Sequence, residues 1–283
     1  MRIFDPHIHM TSRTTDDYER MAAAGVRALV EPAFWLGQPR TNPGSFADYF
    51  DSLVGWEPFR ASQFGIRHHA TIALNPKEAN DPRCRGVLDL MPRYLAKDGV
   101  VAVGEIGYDS MTPEEDEAFA AQLALAVEHE LPALVHTPHR DKARGTERSL
   151  AVVAESGIDP GHVLIDHLNE VTVTLVRDTD CWLGFSIYPD TKMSPPRMVE
   201  ILRQHGLDRM LVNSAADWGR SDPLLTRATG EAMLAAGFSD DDVDRVLWRN
   251  PVEFYGQSKR LDLSDVEDSG ATFEGNSILR GGS

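Results

Sequence analysis

Arg2-Ile3-Phe4-Asp5-Pro6-His7-Ile8-His9 is an apolar run that ends on two histidines. An amphipathic stretch at 16–24 follows it and reads as a helix with Thr15 as its N-cap. That unit recurs along the chain. Apolar runs at 27–33, 67–74, 100–106, 132–137, 163–168, 181–187 and 210–214 have strand length. Helical stretches follow them within 37–65 and at 83–97, 112–129, 146–156, 171–177, 195–205 and 223–236, with two closing helices at 240–248 and 252–255. Thr112 and Glu115 have capping-box spacing, and Pro195 stands at a helix start, where proline is tolerated. Eight strand–helix units predict a parallel sheet with crossover helices, closed into a single-domain α/β (β/α)8 TIM barrel over residues 1–258. The rival is an open doubly wound sheet. It lacks its main cue, because no Gly-x-Gly-x-x-Gly follows an early run. Residues 264–283 are rich in Ser, Gly, Asp and Glu, so 259–283 are expected to form a disordered tail.

Composition narrows the function classes. Of 283 residues, 44 are acidic and 28 basic, and the net charge of -16 argues against a broad grip on nucleic-acid phosphates. No apolar run is long enough to span a membrane. The first strand begins almost at Met1, which leaves no room for a signal peptide. Cys84 and Cys181 are far apart and lack zinc-ligand spacing, so they suit a reducing compartment. A cytoplasmic enzyme is the expectation.

The chemistry starts at His7 and His9. On a strand, residues two apart share a face, and both stand near the C-terminal end, where barrel active sites lie. Two converging imidazoles make half a divalent-metal site, although hydrogen-bonded histidines at a strand end would look the same. Asp5 shares their face and could orient one of them. Later runs tip the balance. Glu105 ends the fourth, His136 the fifth and His167 the sixth, and Asp217 follows the eighth. A lone buried histidine is usually structural. Several ionisable groups at successive strand ends need partners, which two metal ions would supply. Glu105 lies between the two groups of ligands in sequence and could bridge both ions.

The motifs Asp5-Pro6-His7-Ile8-His9, Gly104-Glu105-Ile106-Gly107-Tyr108-Asp109, Val135-His136, Asp166-His167 and Ala215-Ala216-Asp217-Trp218 together resemble the TatD-like hydrolases of the amidohydrolase superfamily. The resemblance covers about residues 1–255 and lies nearest the divergent members encoded in bacterial natural-product gene clusters. It implies a (β/α)8 barrel with a dinuclear divalent-metal site. His7, His9, Glu105 and Asp217 would hold one ion, and Glu105, His136 and His167 the other. Three segments depart from the family pattern. Asn75-Pro76-Lys77 replaces a His-Pro-His-like element, Ser214-Ala215-Ala216 replaces a Glu-Thr-Asp element, and Leu168-Asn169-Glu170 lacks the Cys or Ser that nucleases of the family carry. The metal site matches while the substrate loops do not, which weighs against DNase activity.

The expected reaction is metal-assisted hydrolysis, with Zn, Mn, Fe, Ni or Mg all compatible with the ligand types. An activated water attacks phosphorus or a carbonyl carbon, with Asp217 as general base and Glu105 as the bridging catalytic carboxylate. His139, Arg220 and Lys77 follow strand ends and are the candidate substrate-binding residues. Arg140, Lys142, Arg144, Lys192 and Arg197 also lie in these loops, where solvated charge is the default and convergence on a phosphate or carboxylate the alternative. Glu31 suits a salt bridge or a supporting role, Tyr108 and Asp109 suit loop packing, and His68 and His69 open the third strand at the opposite rim. Phe34, Trp35, Phe46, Tyr49, Phe50 and Trp56 suit core packing or the wall of a pocket for an organic substrate. The reading is a hydrolase of a small phosphate ester, carboxylic ester, lactone or amide. Its alternatives are a metal-dependent deoxyribonuclease and a silent metal-binding scaffold, and the presence of Asp217 argues against the second.

Overall fold

Every one of the eight apolar runs folds as a β-strand, in a computed structural model that describes residues 1–37, 40–264 and 266. The strands are β1 (Ile3–Asp5), β2 (Val26–Pro32), β3 (Arg67–Ile72), β4 (Val100–Gly107), β5 (Ala133–His136), β6 (Val163–Asp166), β7 (Trp182–Ser186) and β8 (Met210–Asn213). They pair in parallel and in chain order. Around them run α1 (Thr15–Ala23), α2 (Pro43–Asp51), α3 (Glu57–Ser62), α4 (Pro76–Ala79), α5 (Val87–Leu95), α6 (Pro113–Glu128), α7 (Lys142–Ser156), α8 (Val173–Arg177), α9 (Pro195–His205), α10 (Leu225–Ala235), α11 (Asp240–Asp244) and α12 (Asn250–Gly256). The result is a single-domain (β/α)8 TIM barrel. No helix of the described residues is long and apolar enough to cross a membrane.

Several local readings differ from the expectation: α7 begins at Lys142, so Lys142 and Arg144 lie on a helix, α4 was not expected, and two further differences concern the first strand and the helix starts. The first strand was expected to reach His9 but ends at Asp5, because Pro6 has no N–H to give the ladder. The chain stays in line beyond the break. Ile8 N–H donates to Val30 O, Ala215 N–H to His7 O and His9 N–H to Ala216 O, so the segment past Pro6 closes the seam between β8 and β1. The second difference concerns the helix starts. Thr14, in extended backbone, caps α1 in place of Thr15. Thr112 accepts from Glu115 N–H as expected, but the Glu115 carboxylate turns to the N–H groups of Asp109, Ser110 and Met111 and fixes the loop after β4.

The core has two layers. Leu29, Ala70, Ile72, Val163 and Val212 pack outward against the helices. Phe4, Leu134, Leu164 and Leu211, near the strand starts, form an inner cluster that Trp248, Phe254 and Tyr255 plug from below. Tyr255 also donates its hydroxyl to Pro6 O at 2.8 Å, tying the plug to the break in β1. Residues 259–264, on the tail side of the expected boundary, cross this lower face. Arg260 donates to Leu95 O, Arg67 to Ser264 O and Asp262 N–H to His69 Nε2. The rest of the tail expected to be disordered, 265 and 267–283, lies outside the described residues.

His69 is 3% exposed, and its Nε2 must carry a lone pair to accept from Asp262. Burial pushes its pKa down to about 4, against an ordinary 6.5. The native state therefore holds His69 neutral where the unfolded chain protonates it. Stability from this group is full above the unfolded value and is lost as pH falls from 6.5 through 4. One proton taken up on unfolding corresponds to about 1.4 kcal/mol per pH unit. In urea titrations His69→Gln should flatten the slope of stability against pH over this range by up to that amount. An unchanged slope would show that His69 is not held neutral.

Candidate metal centre

The upper rim of the barrel gathers the ends of β1, β4, β5 and β6 around one carboxylate. Glu105 Oε1 lies 3.3 Å from His7 Nε2, 3.2 Å from His167 Nε2 and 3.4 Å from His136 Nδ1. Its Oε2 accepts from Asn75 Nδ2 at 3.2 Å. His9 Nε2 sits 3.0 Å from His7 Nε2, and the His9 ring stacks on Phe34 with centroids 3.6 Å apart. Gly107 follows Glu105 with φ +115° and no room for a side chain, since a Cβ would lie 2.5 Å from His136 O. The two strands can approach closely there only because the residue is glycine.

Protonation shows what this cluster can hold. His7 Nδ1 lies 2.6 Å from Asp166 Oδ2, so that nitrogen carries the ring proton and donates it to the carboxylate. With the ring neutral, His7 Nε2 faces Glu105 and His9 with a lone pair, and the raised pKa of the ring shows that a positive charge is favoured there. Acceptors facing acceptors in a buried site call for a cation between them. His9 Nδ1 has no hydrogen-bond partner among the described residues. His7, His9 and Glu105 form one set of donor atoms within 4.8 Å of one another, and Glu105, His136 and His167 form a second. Imidazole and carboxylate donors fit a divalent transition metal, and Glu105 belongs to both sets. The residues therefore fit metal ions.

The electrostatics agree. Burial opposes the charge on Glu105, but His7 and the hydrogen bonds of His136 and His167 outweigh it and hold the carboxyl well below its usual range. Burial pushes His9 and His167 well below the usual histidine value. Burial also opposes a charge on His7, yet Glu105 and Asp166 win and raise it. An ionised Glu105 beside the neutral imidazoles of His9 and His167 is the ligating state.

The supporting carboxylate is Asp166, where the sequence pointed to Asp5. Asp166 ends β6, accepts from His7, from both approaches of Asn213 Nδ2 at 3.1 and 3.2 Å, and from His167 N–H at 2.7 Å. Burial opposes its charge, but the neighbouring His167 and the hydrogen bond from His7 hold it below the usual carboxylate range. Gly184 makes room for it, because a Cβ there would lie 2.3 Å from Asp166 Oδ1. Asp5 takes the N–H groups of His7 and Ser214 and braces the seam. Asp5 thus holds the backbone of His7, while Asp166 holds its ring. The signal for Asp166 was its place one residue before His167 at a strand end. His167 adopts φ +61°, a left-handed backbone uncommon outside glycine. Its Nδ1 lies 2.6 Å from Ser186 Oγ and 3.2 Å from Lys192 Nζ.

Above the cluster opens a cavity of about 320 Å³. Asp217 lines it but lies outside both ligand sets. Its Oδ1 accepts from Tyr188 hydroxyl at 3.1 Å and from Gly219 N–H at 2.7 Å. Lys77 and His139 line the same cavity, whereas Arg220 is exposed and does not. The expected aromatic cluster divides. Phe34 and Trp35 form cavity wall, joined by Trp218, which the sequence reading missed, while Phe46, Tyr49 and Phe50 are core and Trp56 is exposed. Glu31 faces the helix layer, where it accepts from Thr11 and pairs with His68 Nε2 at 2.8 Å.

Comparison with known proteins matches residues 4–256 to the family described as TatD related DNase. An uncharacterized metal-dependent hydrolase of Methanocaldococcus jannaschii is 25% identical over 253 residues, covering 89% of this chain and 99% of that protein. A TatD-like protein of Archaeoglobus fulgidus superimposes with a TM-score of 0.75 at 25% identity, covering 89% of this chain and 99% of its own. The phosphotriesterase homology protein of Escherichia coli, solved with phosphate in its active site, shares the fold with a TM-score of 0.68 at 17% identity, covering 90% of this chain and 98% of its own.

Asp166→Asn removes the charge that holds the proton on His7 Nδ1. Loss of such an outer partner typically weakens metal binding about 10–100-fold. Competition with a fluorescent chelator should show a loss of that size with the circular dichroism spectrum unchanged. Unchanged affinity would mean that Asp166 does not set the His7 tautomer.

Proposed function

This chain belongs to the TatD-related DNase family and is a metal-dependent hydrolase, and we propose that it holds two divalent ions and cleaves a phosphate ester, carboxylic ester, lactone or amide of a small molecule. The observation that carries the proposal is Glu105, which belongs to both ligand sets and so has the place of a bridging carboxylate. His7 and His9 would hold one ion with Glu105, and His136 and His167 the other. Bound there, divalent ions would polarise the scissile group and make water a competent nucleophile near neutral pH.

The chain's own residues supply the rest. Asp217 stands on the cavity wall with its carboxylate fixed by Tyr188 and Gly219, poised to accept a proton from the attacking water or to complete the first ion's ligands. Asn75 holds the second oxygen of Glu105, so the carboxylate keeps one orientation. Phe34, Trp35 and Trp218 give an apolar wall to a cavity sized for a small organic molecule. The net charge of -16 supports a small substrate over DNA. The departures at 75–77, 168–170 and 214–216 support a place among divergent members, such as those of bacterial natural-product gene clusters. Buried free thiols at Cys84 and Cys181 support a cytoplasmic setting.

Elemental analysis followed by a hydrolysis panel tests the proposal. The expected result is two divalent ions per chain, with turnover of at least one phosphoester or carboxylic ester that is lost on chelation and restored on reloading. Asp217→Asn should lower kcat by about 10²–10⁴. Less than one ion per chain after reconstitution, or undiminished turnover in Asp217→Asn, would overturn it. Cleavage of DNA in preference to every small ester would favour a nuclease.

A further inference from the structure

The loop from β7 to α9 folds back on itself. Lys192 N–H donates to Tyr188 O at 2.8 Å, and Tyr188 N–H donates to Met193 O at 2.9 Å. Arg197, held by both oxygens of Glu170 at 2.7 Å, donates to Lys192 O at 2.8 Å. This turn sets the half-buried Lys192 side chain on the wall of the cavity above the metal ligands. Two other lysines stand in or near that wall, and both are already occupied. Lys77 Nζ pairs with Asp109 at 2.7 Å, and Lys142 Nζ donates to Thr137 Oγ1 and Pro138 O. Among the described residues Lys192 forms no carboxylate salt bridge, and its ammonium meets one hydrogen-bond acceptor, His167 Nδ1 at 3.2 Å, and the face of the Tyr188 ring, 5.7 Å from its centroid.

That acceptor is already contested, because Ser186 Oγ lies 2.6 Å from the same nitrogen. An imidazole that gives the lone pair of Nε2 to a metal carries its proton on Nδ1. His167 would then donate to Ser186 and offer Lys192 nothing. An ammonium with three N–H donors would stand in the cavity with no acceptor of its own. Beside it, Trp35 and Trp218 meet at 6.3 Å and 70°, an apolar surface for the body of a ligand.

We propose that Lys192 is the specificity-determining cation of this cavity, binding a carboxylate or phosphate group of the substrate that is separate from the bond hydrolysed. The substrates are then small organic anions with an apolar, flat body, and neutral esters and lactones are poor ones. The proposal rests on the hydrolase reading above. A charge-assisted hydrogen bond in a site of this kind discriminates strongly against an uncharged analogue of the same shape.

Calorimetry on the metal-loaded protein tests it, with benzoate and phenylphosphonate as anionic probes and benzamide as the neutral one. At least one anion should bind about tenfold more tightly than benzamide, a difference of about 1.4 kcal/mol. Lys192→Met should abolish that preference, Lys192→Arg should keep it within about threefold, and Lys142→Met, which removes a nearby cation already satisfied elsewhere, should also keep it. Lys192→Gln replaces the Met variant if that fails to fold. Equal binding of benzamide, absence of binding by both anions, or wild-type anion affinity without Lys192 would overturn the proposal. Metal content measured on the same samples separates the two ideas. Lys192-dependent anion binding in a protein that retains no metal supports this proposal and counts against the hydrolase reading. Full metal content with Lys192-independent binding does the reverse.

Discussion

One buried carboxylate facing three imidazoles is the constraint on which the upper half of the molecule depends. Glu105 is 4% exposed and its oxygens face His7, His136, His167 and Asn75. A carboxylate taken from water at such a site is costly unless it is paired. Four segments of chain must therefore hold their positions together. The barrel provides this, because parallel strands place all their C-terminal ends at one rim and the inner core near the strand starts leaves that rim free for polar groups.

The strength of the arrangement lies one layer out. Asp166 fixes the tautomer of His7, Asn213 fixes Asp166, and Gly184 leaves the space in which they meet. These residues come from β6, β8 and β7, so the ligand orientation depends on strand register across half the barrel. Tyr188 and Lys192 add the β7 loop to the same system, one touching Asp217 and the other His167. A shift in that loop would be felt at both sides of the site.

Legibility in the sequence followed the range of each interaction. The eight strands were readable because parallel strands buried on both faces appear as continuous apolar runs, and most helices because burial of one face imposes a period of 3.6. His7, His9, Glu105, His136 and His167 were readable because a histidine or acid at a strand end is unusual in any window. Asp166 was hidden in plain view, since a residue next to a ligand on a strand should point away from it, and the left-handed backbone at His167 defeats that rule. Asp5 does hold a ligand, through the backbone N–H of His7, while the ring is held by Asp166. Lys192, Arg220 and Trp218 all lie in loops, where side-chain direction is set by turns such as 188–193 that carry no periodic signal.

The seam between β8 and β1 shows how the barrel keeps its ligands in place where the regular ladder lapses. Asp5 binds the backbone N–H of Ser214 across it and that of His7 on its own side, and Arg13 reaches from the turn after His9 to the backbone carbonyl of Asp217. That turn is held from outside. Glu31 accepts from Thr11, and Arg60 donates to Met10 O and Arg13 O while pairing with Glu57. Glu57 in turn accepts from Tyr18, and Glu31 pairs with His68, so a buried polar layer between sheet and helices anchors the first ligand segment. Buried polar groups of this kind are poor sources of stability compared with apolar packing. They are directional, however, and an apolar contact cannot fix the orientation of a backbone turn to the precision that metal ligation demands. The carboxyl groups on the outside of β2 and α3 thus serve the site on the inside of β1, which gives polar residues a role in a layer where Leu and Ile would pack more cheaply.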